Sequence, residues 1–389
     1  MNFLFASIDA IISNYKGEIP LAAYLKKYFK QHPKLGSRDR KSITEAVFVY
    51  YRCVAFSETK TPTLNTVYRG MQICKSENNY LKDAFEKVKN ELEQPTDFSI
   101  QNWPYYIAFT NRFSAGIQQD EWLKTLFSQS DLFIRVRTDK AEVKQKLKTA
   151  NLEYQEIRTG DTAVDCFSFK NSTKVDSVLA PKEFVVQDWA SQSSMSVLMD
   201  YVKDNFYAKT KATVWDVCAG AGGKSIFWKD QRPDDFLLAT DIRDGILKNL
   251  KERFSIYGIQ HFQSLAVDVE NSKELSQKQK NQSFDVIICD APCSGSGTWA
   301  RTPEQFYFFK PEVLAGFAEK QYNIAFEAQK YLKQNSVLAY ITCSVFKDEN
   351  EQVVQRLVEN TSLKLIRQQL INGISHKADS LFVALFIKA

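Results

Sequence analysis

Nowhere in the 389 residues do eighteen apolar residues follow one another without a charge, so the sequence offers no membrane-spanning helix. Residues 1–16 place Asp9 inside a short apolar run and show no small-residue cleavage site, so they read as an amphipathic helix rather than a signal peptide. A cytoplasmic protein is expected. No Cys-x-x-Cys pair occurs, and there are only three histidines. The seven cysteines, at positions 53, 74, 166, 218, 289, 293 and 343, are odd in number, which argues against a zinc site or a disulfide framework. No metal is expected, and the question becomes which thiols react. A strong charge bias is missing as well, since 51 basic residues face 46 acidic ones for a net +5. That balance does not identify a polyanion partner, although a local basic surface is compatible with it. What is present is the usual mixture of a folded soluble protein, 44% hydrophobic and 25% charged, in a chain long enough for two or three domains.

Three segments differ in pattern. Residues 1–125 read as helical: Leu21, Leu25, Tyr28 and Phe29 recur at helical spacing, as do Ile43, Ala46, Val47, Tyr50 and Tyr51. Ser37 is the expected cap of that second helix, and a further amphipathic piece runs over 80–92. No catalytic signal appears here, and a packing or RNA-docking module is expected. Residues 126–188 form a small βαββαβ (RRM-like) pattern, with strands at 132–137, 152–157, 163–169 and 183–186 and helices at 140–150 and 175–179. Arg135 and Arg137 fall on one face of the first strand, either toward RNA or as solvated charges. In residues 189–389, apolar strands at 213–218, 236–240, 264–267, 284–289, 336–341 and 381–387 alternate with helices, the clearest at 245–257, 311–332 and 349–360. This is the order of a doubly wound α/β sheet, whose ligands bind beyond the carboxyl ends of the strands.

The unusual residues sit there. After the first of these strands comes Asp216-Val217-Cys218-Ala219-Gly220-Ala221-Gly222-Gly223-Lys224-Ser225, a glycine loop through which backbone can approach a ligand. A P-loop would need a glycine at Cys218, and a dinucleotide fingerprint would need a different glycine spacing, so neither applies. Asp241 ends the next strand, where an acid can accept the ribose hydroxyls of an adenosine, and Asp268 follows the third, placed for an adenine amino group. Each alone reads as a helix cap. Three acids at successive strand ends with one glycine loop point to an adenosyl ligand.

The fourth strand runs into Asp290-Ala291-Pro292-Cys293-Ser294-Gly295, and the fifth into Thr342-Cys343-Ser344. Cys218 and Cys289 read as small apolar fillers of strands, whereas Cys293 and Cys343 lie past their strands in polar turns. Cytosine carbon-5 is a poor nucleophile, and a thiolate added at carbon-6 makes it an enamine that can take a methyl group. A second thiol or a base helps the later release. Methylation of an amino group needs neither cysteine, and the aromatic turn expected for it is replaced here by Asp290-Ala291-Pro292-Cys293. The residues alone leave open which cysteine attacks, because DNA cytosine methyltransferases use a Pro-Cys turn.

At these positions the chain resembles the RsmB/Nop (Sun) family of RNA cytosine-5 methyltransferases. The resemblance rests on Gln187-Asp188, Ala190-Ser191-Gln192, the Gly-Gly-Lys-Ser loop, Asp-Ala-Pro-Cys-Ser-Gly and Thr-Cys-Ser. The opening helices, with Leu35-Gly36-Ser37-Arg38-Asp39-Arg40, are similar to the NusB-like extension that some members carry. The resemblance implies a Rossmann-like class I methyltransferase sheet and S-adenosyl-L-methionine as cofactor. It implies Cys343 as nucleophile, Cys293 as the residue assisting release, and Asp290 and Lys224 beside the target base and methyl group. It further implies cofactor contacts from Cys218, Ala219, Gly220, Ala221, Gly222, Gly223, Lys224, Asp241, Arg243, Asp268, Asp290 and Pro292. Alanine stands at 221 where the family commonly has proline, which loosens the loop without removing a contact. Ribosomal RNA of the 16S type is the expected substrate, with transfer RNA the alternative. No DNA or membrane partner is expected, and a monomer is the default. A catalytically dead RNA-binding assembly factor, and a methyltransferase of amino groups or proteins, are the rival readings. Lys224, Asp290, Cys293 and Cys343 together argue against the first, and the Thr-Cys-Ser and Pro-Cys pair against the second.

Overall fold

The computed structural model describes residues 2–57, 63–92, 98–160, 166–205, 211–279 and 282–389. The chain forms two compact units, one of residues 1–113, 117–129 and 298–311, the other of 114–116, 130–297 and 312–389.

The first unit is helical, with main helices at Asn2–Asn14, Leu21–Gln31, Ser37–Cys53, Thr63–Ile73 and Asn79–Glu86. Their apolar stripes, including Ile8, Leu21, Ile43, Val47, Val67 and Phe85, meet in one core. Ser37 does not cap its helix. It is the first helical residue, and the preceding Gly36 donates its N–H to Asp39 Oδ2 at 3.2 Å, so the carboxylate in the first turn does the capping. The helix Pro303–Phe308, far along the chain, belongs to this unit. There Phe306 stacks on Phe56 with ring centroids 5.3 Å apart, and Glu304 Oε1 accepts the Leu21 N–H at 3.2 Å.

The second unit holds two sheets. The smaller contains β1 (Leu132–Val136), β2 (Gln155–Ile157), β3 (Cys166–Phe169) and β4 (Phe184–Val186) in antiparallel order β2-β3-β1-β4, the split βαβ plan. Residues 163–165 of the expected third strand lie outside the described residues. The expected second helix is only a 3-10 turn, Val175–Ser177. Arg135 and Arg137 serve neither reading offered by the sequence. Arg135 is 1% exposed, lies 2.6 Å from Asp230 Oδ2, and has Phe227 beneath its guanidinium. Arg137 grips the same carboxylate at 2.7 Å and donates to the carbonyl of Tyr257. Strand alternation placed these two side chains correctly. What covers their face is the helix Gly223–Gln231, which a local pattern does not show.

The larger sheet contains β5 (Thr213–Asp216), β6 (Phe236–Asp241), β7 (Phe262–Ala266), β8 (Phe284–Asp290), β9 (Leu332–Thr342), β10 (Leu363–Ile371) and β11 (Leu381–Lys388). Their order is β10-β11-β9-β8-β5-β6-β7, with β11 antiparallel to both neighbours, a Rossmann-like methyltransferase sheet as expected. Strands buried on both faces read as continuous apolar runs, and β8 is the clearest case. Its Val286 and Ile288 pack with Leu198, Phe227 and Leu250 on one side, while Ile287 and Cys289 pack with Leu275, Ile324 and Leu357 on the other. β10 has no counterpart among the expected strands. It is an edge strand exposed from Lys364 to Gln368, with a bulge between Leu365 and Arg367, so it carries no burial pattern to read. The order reverses between β5 and β8, and a crevice opens at such a switch point.

Candidate active site

At the carboxyl ends of these strands lies a cavity of about 600 Å³. The loop after β5 supplies Cys218, Ala219, Gly220, Ala221, Gly223 and Lys224 to its lining. Asp241 and Arg243 come from the end of β6, Asp268 from the segment after β7, and Asp290 and Pro292 from the end of β8. Of the expected cofactor contacts, only Gly222 is absent from this lining. Its φ of +82° lets the chain turn into the helix Gly223–Gln231, and an added Cβ would stand 2.8 Å from Phe254. Gly222 therefore shapes the loop from behind. Ser191, Ile242, Lys320 and Ile324 line the cavity too, and sequence reasoning missed them as lining residues. Ser191 had a signal, the Ala190-Ser191-Gln192 motif; its hydroxyl accepts from Gln187 Nε2 at 3.2 Å.

Asp241 is 5% exposed, and each of its oxygens accepts two hydrogen bonds. Oδ1 takes the Arg243 N–H and Nε at 2.9 Å, and Oδ2 takes the Gly220 N–H at 3.0 Å and an Arg243 terminal nitrogen at 3.1 Å. Burial pushes this carboxyl up, but the donors outweigh it and hold it below the usual carboxylate range. Asp268 accepts the Glu270 N–H at 3.1 Å. Asp216, counted with these acids from sequence, does not line the cavity; it is buried beneath the loop and accepts from Ser225 Oγ at 2.6 Å. Burial raises its carboxyl to about 7.

Lys224 and Asp290 form an ion pair at 2.6 Å, with the lysine side chain 8% exposed and the aspartate 33%. Burial alone would lower the Lys224 ammonium, yet the neighbouring Asp290 charge outweighs it and holds the ammonium above its ordinary value. The loops after β8 and β9 then bring Cys293 and Cys343 together, sulfur to sulfur at 2.9 Å, as free thiols. The Cys343 N–H also points to the Cys293 sulfur at 3.3 Å. The contact with Cys343, burial and the nearby Glu349 charge all push the Cys293 thiol well above its ordinary value.

Behind the cysteines lies a polar cluster that sequence reasoning did not find. Glu349, fully buried, accepts the Ser294 N–H at 2.8 Å, the Ser294 hydroxyl at 2.6 Å, Gln321 Nε2 at 2.9 Å and the Ser344 hydroxyl. Tyr340 donates to the Gln321 side chain and to the Glu349 carbonyl. Gly297 closes the turn: its N–H donates to the Cys343 carbonyl at 2.8 Å, and an added Cβ would lie 1.9 Å from the Ser380 carbonyl oxygen. The sulfur pair sits at the strand ends adjoining this cavity. Among the described residues no group of side chains has the makings of a metal site, and no helix is long and apolar enough to cross a membrane.

Residues 206–384 match the family described as 16S rRNA methyltransferase RsmB/F. The probable ribosomal RNA small subunit methyltransferase B of Bacillus subtilis (strain 168) is 28% identical over 227 residues, covering 58% of this chain and 48% of that protein. The chain thus spans about half the length of this curated relative. The crystal structure of PH0851 has a TM-score of 0.71 at 18% identity, covering 99% of this chain and 98% of that one. A methyltransferase homologue from Pyrococcus horikoshii has a TM-score of 0.59 at 20% identity, covering 79% of this chain and 99% of the other. These two share the fold. With the seven-stranded sheet, the cavity at its switch point and the family match over the same stretch, residues 206–384 are a methyltransferase domain of the RsmB/F family.

Proposed function

We propose that this chain transfers a methyl group from S-adenosyl-L-methionine to carbon-5 of a cytosine in ribosomal RNA, with Cys343 as the covalent nucleophile. The observation that carries the reading is the pair of free thiols 2.9 Å apart at the ends of β8 and β9, beside the cavity. An amino-group methyltransferase has no use for such a pair. The substrate class follows the small-subunit rRNA named for the matching family and for the Bacillus subtilis relative.

The cavity residues suit the cofactor. Asp241 offers acceptors for a ribose diol, for which the 67%-exposed Arg243 side chain gives up its two contacts while the two backbone donors stay. Asp268 stands where an adenine amino group needs an acceptor. Bound there, the cofactor supplies an electrophilic methyl group. Cys343, as thiolate, adds to carbon-6 of the target cytosine, and carbon-5 gains the nucleophilic character needed to take that methyl group. Loss of the carbon-5 proton to a base then re-forms the ring double bond and expels Cys343 as thiolate. Cys293 remains a neutral thiol because its ionisation is opposed, and so it can donate a hydrogen bond to the departing sulfur. Lys224 holds Asp290 toward the space a base would enter. The helical unit and the small sheet are assigned to docking the RNA, with the target base turned out of its stack.

Bisulfite sequencing of total RNA from cells with and without the gene tests this directly. Loss of one or more 5-methylcytosines in 16S-type rRNA is the expected result. A lost site in transfer RNA instead would move the substrate, and no lost site, together with no transfer by purified protein to rRNA, would refute the reading.

A further inference from the structure

We infer that Glu349 is the positioning residue that holds Cys293 and Cys343 face to face, by gathering the turn behind each cysteine onto one buried carboxylate. Its effect on turnover rests on the cytosine-5 reading; its effect on the sulfur geometry does not.

The two thiols belong to separate strands, 50 positions apart in sequence, and each stands in a turn rich in small polar residues that has little rigidity of its own. Glu349 joins those turns. Ser294, the residue after Cys293, gives it both a backbone N–H and a hydroxyl, while Ser344, the residue after Cys343, gives it a hydroxyl. Gln321 completes the clamp from the other side of Cys293, because its amide nitrogen donates to Glu349 at 2.9 Å and to the Pro292 carbonyl at 3.0 Å. Cys293 is thereby fixed through both its chain neighbours. Ser296 ties the hydroxyls to one another, contacting Ser294 and Ser344 at 3.2 Å each and accepting the Val345 N–H at 2.9 Å.

A carboxylate is the side chain this arrangement needs. Four donors converge on Glu349, and an ionised carboxylate is an acceptor at every lone pair. A glutamine of the same shape would turn an amide N–H against a donor, leaving one turn without its anchor and a buried group unpaired. Burial pushes the Glu349 carboxyl up, and a buried charge is tolerated only with full hydrogen bonding. That is the bonding seen here.

The test reads sulfur geometry before activity. Diamide takes one hydrogen from each of two thiols and joins their sulfurs, and peptide mass spectrometry then quantifies the Cys293–Cys343 link with time. In Glu349→Gln the link should form at least about tenfold more slowly than in the wild type, since displacements near 1 Å cost rates of that order and more. Cys53 and Cys74, 3.9 Å apart in the helical unit, are the internal control and should link at an unchanged rate. In methylation assays on rRNA, kcat should fall at least about tenfold while KM for cofactor and for RNA stays within about twofold. Should Glu349→Gln not fold, Ser294→Ala and Ser344→Ala each remove one hydroxyl donor and should each slow the link. A wild-type linking rate in folded Glu349→Gln overturns the inference, as does an equal slowing at Cys53–Cys74 or a large rise in KM. Slow linking in a protein whose wild type methylates no RNA upholds the clamp and sinks the cytosine-5 reading instead.

Discussion

The side of the cavity proposed for the cofactor is built from backbone and from acids standing at strand ends, whereas the cysteine side hangs on side chains buried behind it. On the first side Asp241 takes its partners from Gly220 and from Arg243, two residues away and 67% exposed. On the second side the anchor is Glu349, and its partners lie 55, 28 and 5 positions away. The first side thus joins the loops after neighbouring strands, Gly220 lying 21 positions from Asp241, largely through backbone donors. A site in which two thiols must meet needs long-range clamps, and its tolerance of change is smaller. The expected behaviour differs accordingly: damage to the cysteine side should appear in turnover, and damage to the cofactor side in affinity.

The largest effect should come from Cys343→Ala, with turnover falling to the assay background while the cofactor dissociation constant, read by calorimetry, stays within about twofold. Persistent turnover would move the nucleophile elsewhere and break the division between the two sides. Cys293→Ala should still permit attack but stall release, leaving a protein–RNA adduct that survives denaturing electrophoresis; absence of the adduct would refute the role given to this thiol. Asp230→Ala should cost about 3–5 kcal/mol in denaturant unfolding, because it strips buried Arg135 of its partner under the helix that follows the glycine loop. A loss below about 1 kcal/mol would mean that the arginine finds water instead. The smallest effect is expected at Asp241→Ala, a weakening of cofactor binding by about 1–3 kcal/mol with kcat at saturation retained. An unchanged dissociation constant there would remove its ribose role.

The same contrast explains what could be read from the residues. Strands β5, β6, β8 and β9 were legible because buried parallel strands are apolar runs, and the chemistry had to follow their ends. The glycine loop, Asp241 and the two cysteines stood out by type and position, whereas Lys224 and Asp290 were singled out only by the family resemblance. Glu349 did not: the sequence pattern makes it the first-turn acid of a helix over 349–360, whereas the helix begins at Glu351 and leaves Glu349 ahead of it. Its meaning comes from Ser294, Gln321 and Ser344, which a local window does not join. Arg135 and Arg137 failed for a related reason: alternation gives the face a side chain points to and is silent on what lies across it. β10 failed because an exposed edge strand is under little pressure to alternate, with Leu365 37% and Ile366 45% exposed.

The route of residues 298–311 bears on how the protein is made. The first compact unit is not complete when residue 129 leaves the ribosome, because Trp299, Glu304, Phe306 and Phe308 are part of its interior or packed upon it. These arrive about 170 residues later, roughly 10–30 s at ordinary translation rates, after four strands of the larger sheet have already emerged. The helical unit must therefore wait, with Phe56 and Trp122 short of their partners, while a different part of the protein is synthesised. A shortened gene ending near residue 130 would encode a product lacking a piece of its own core.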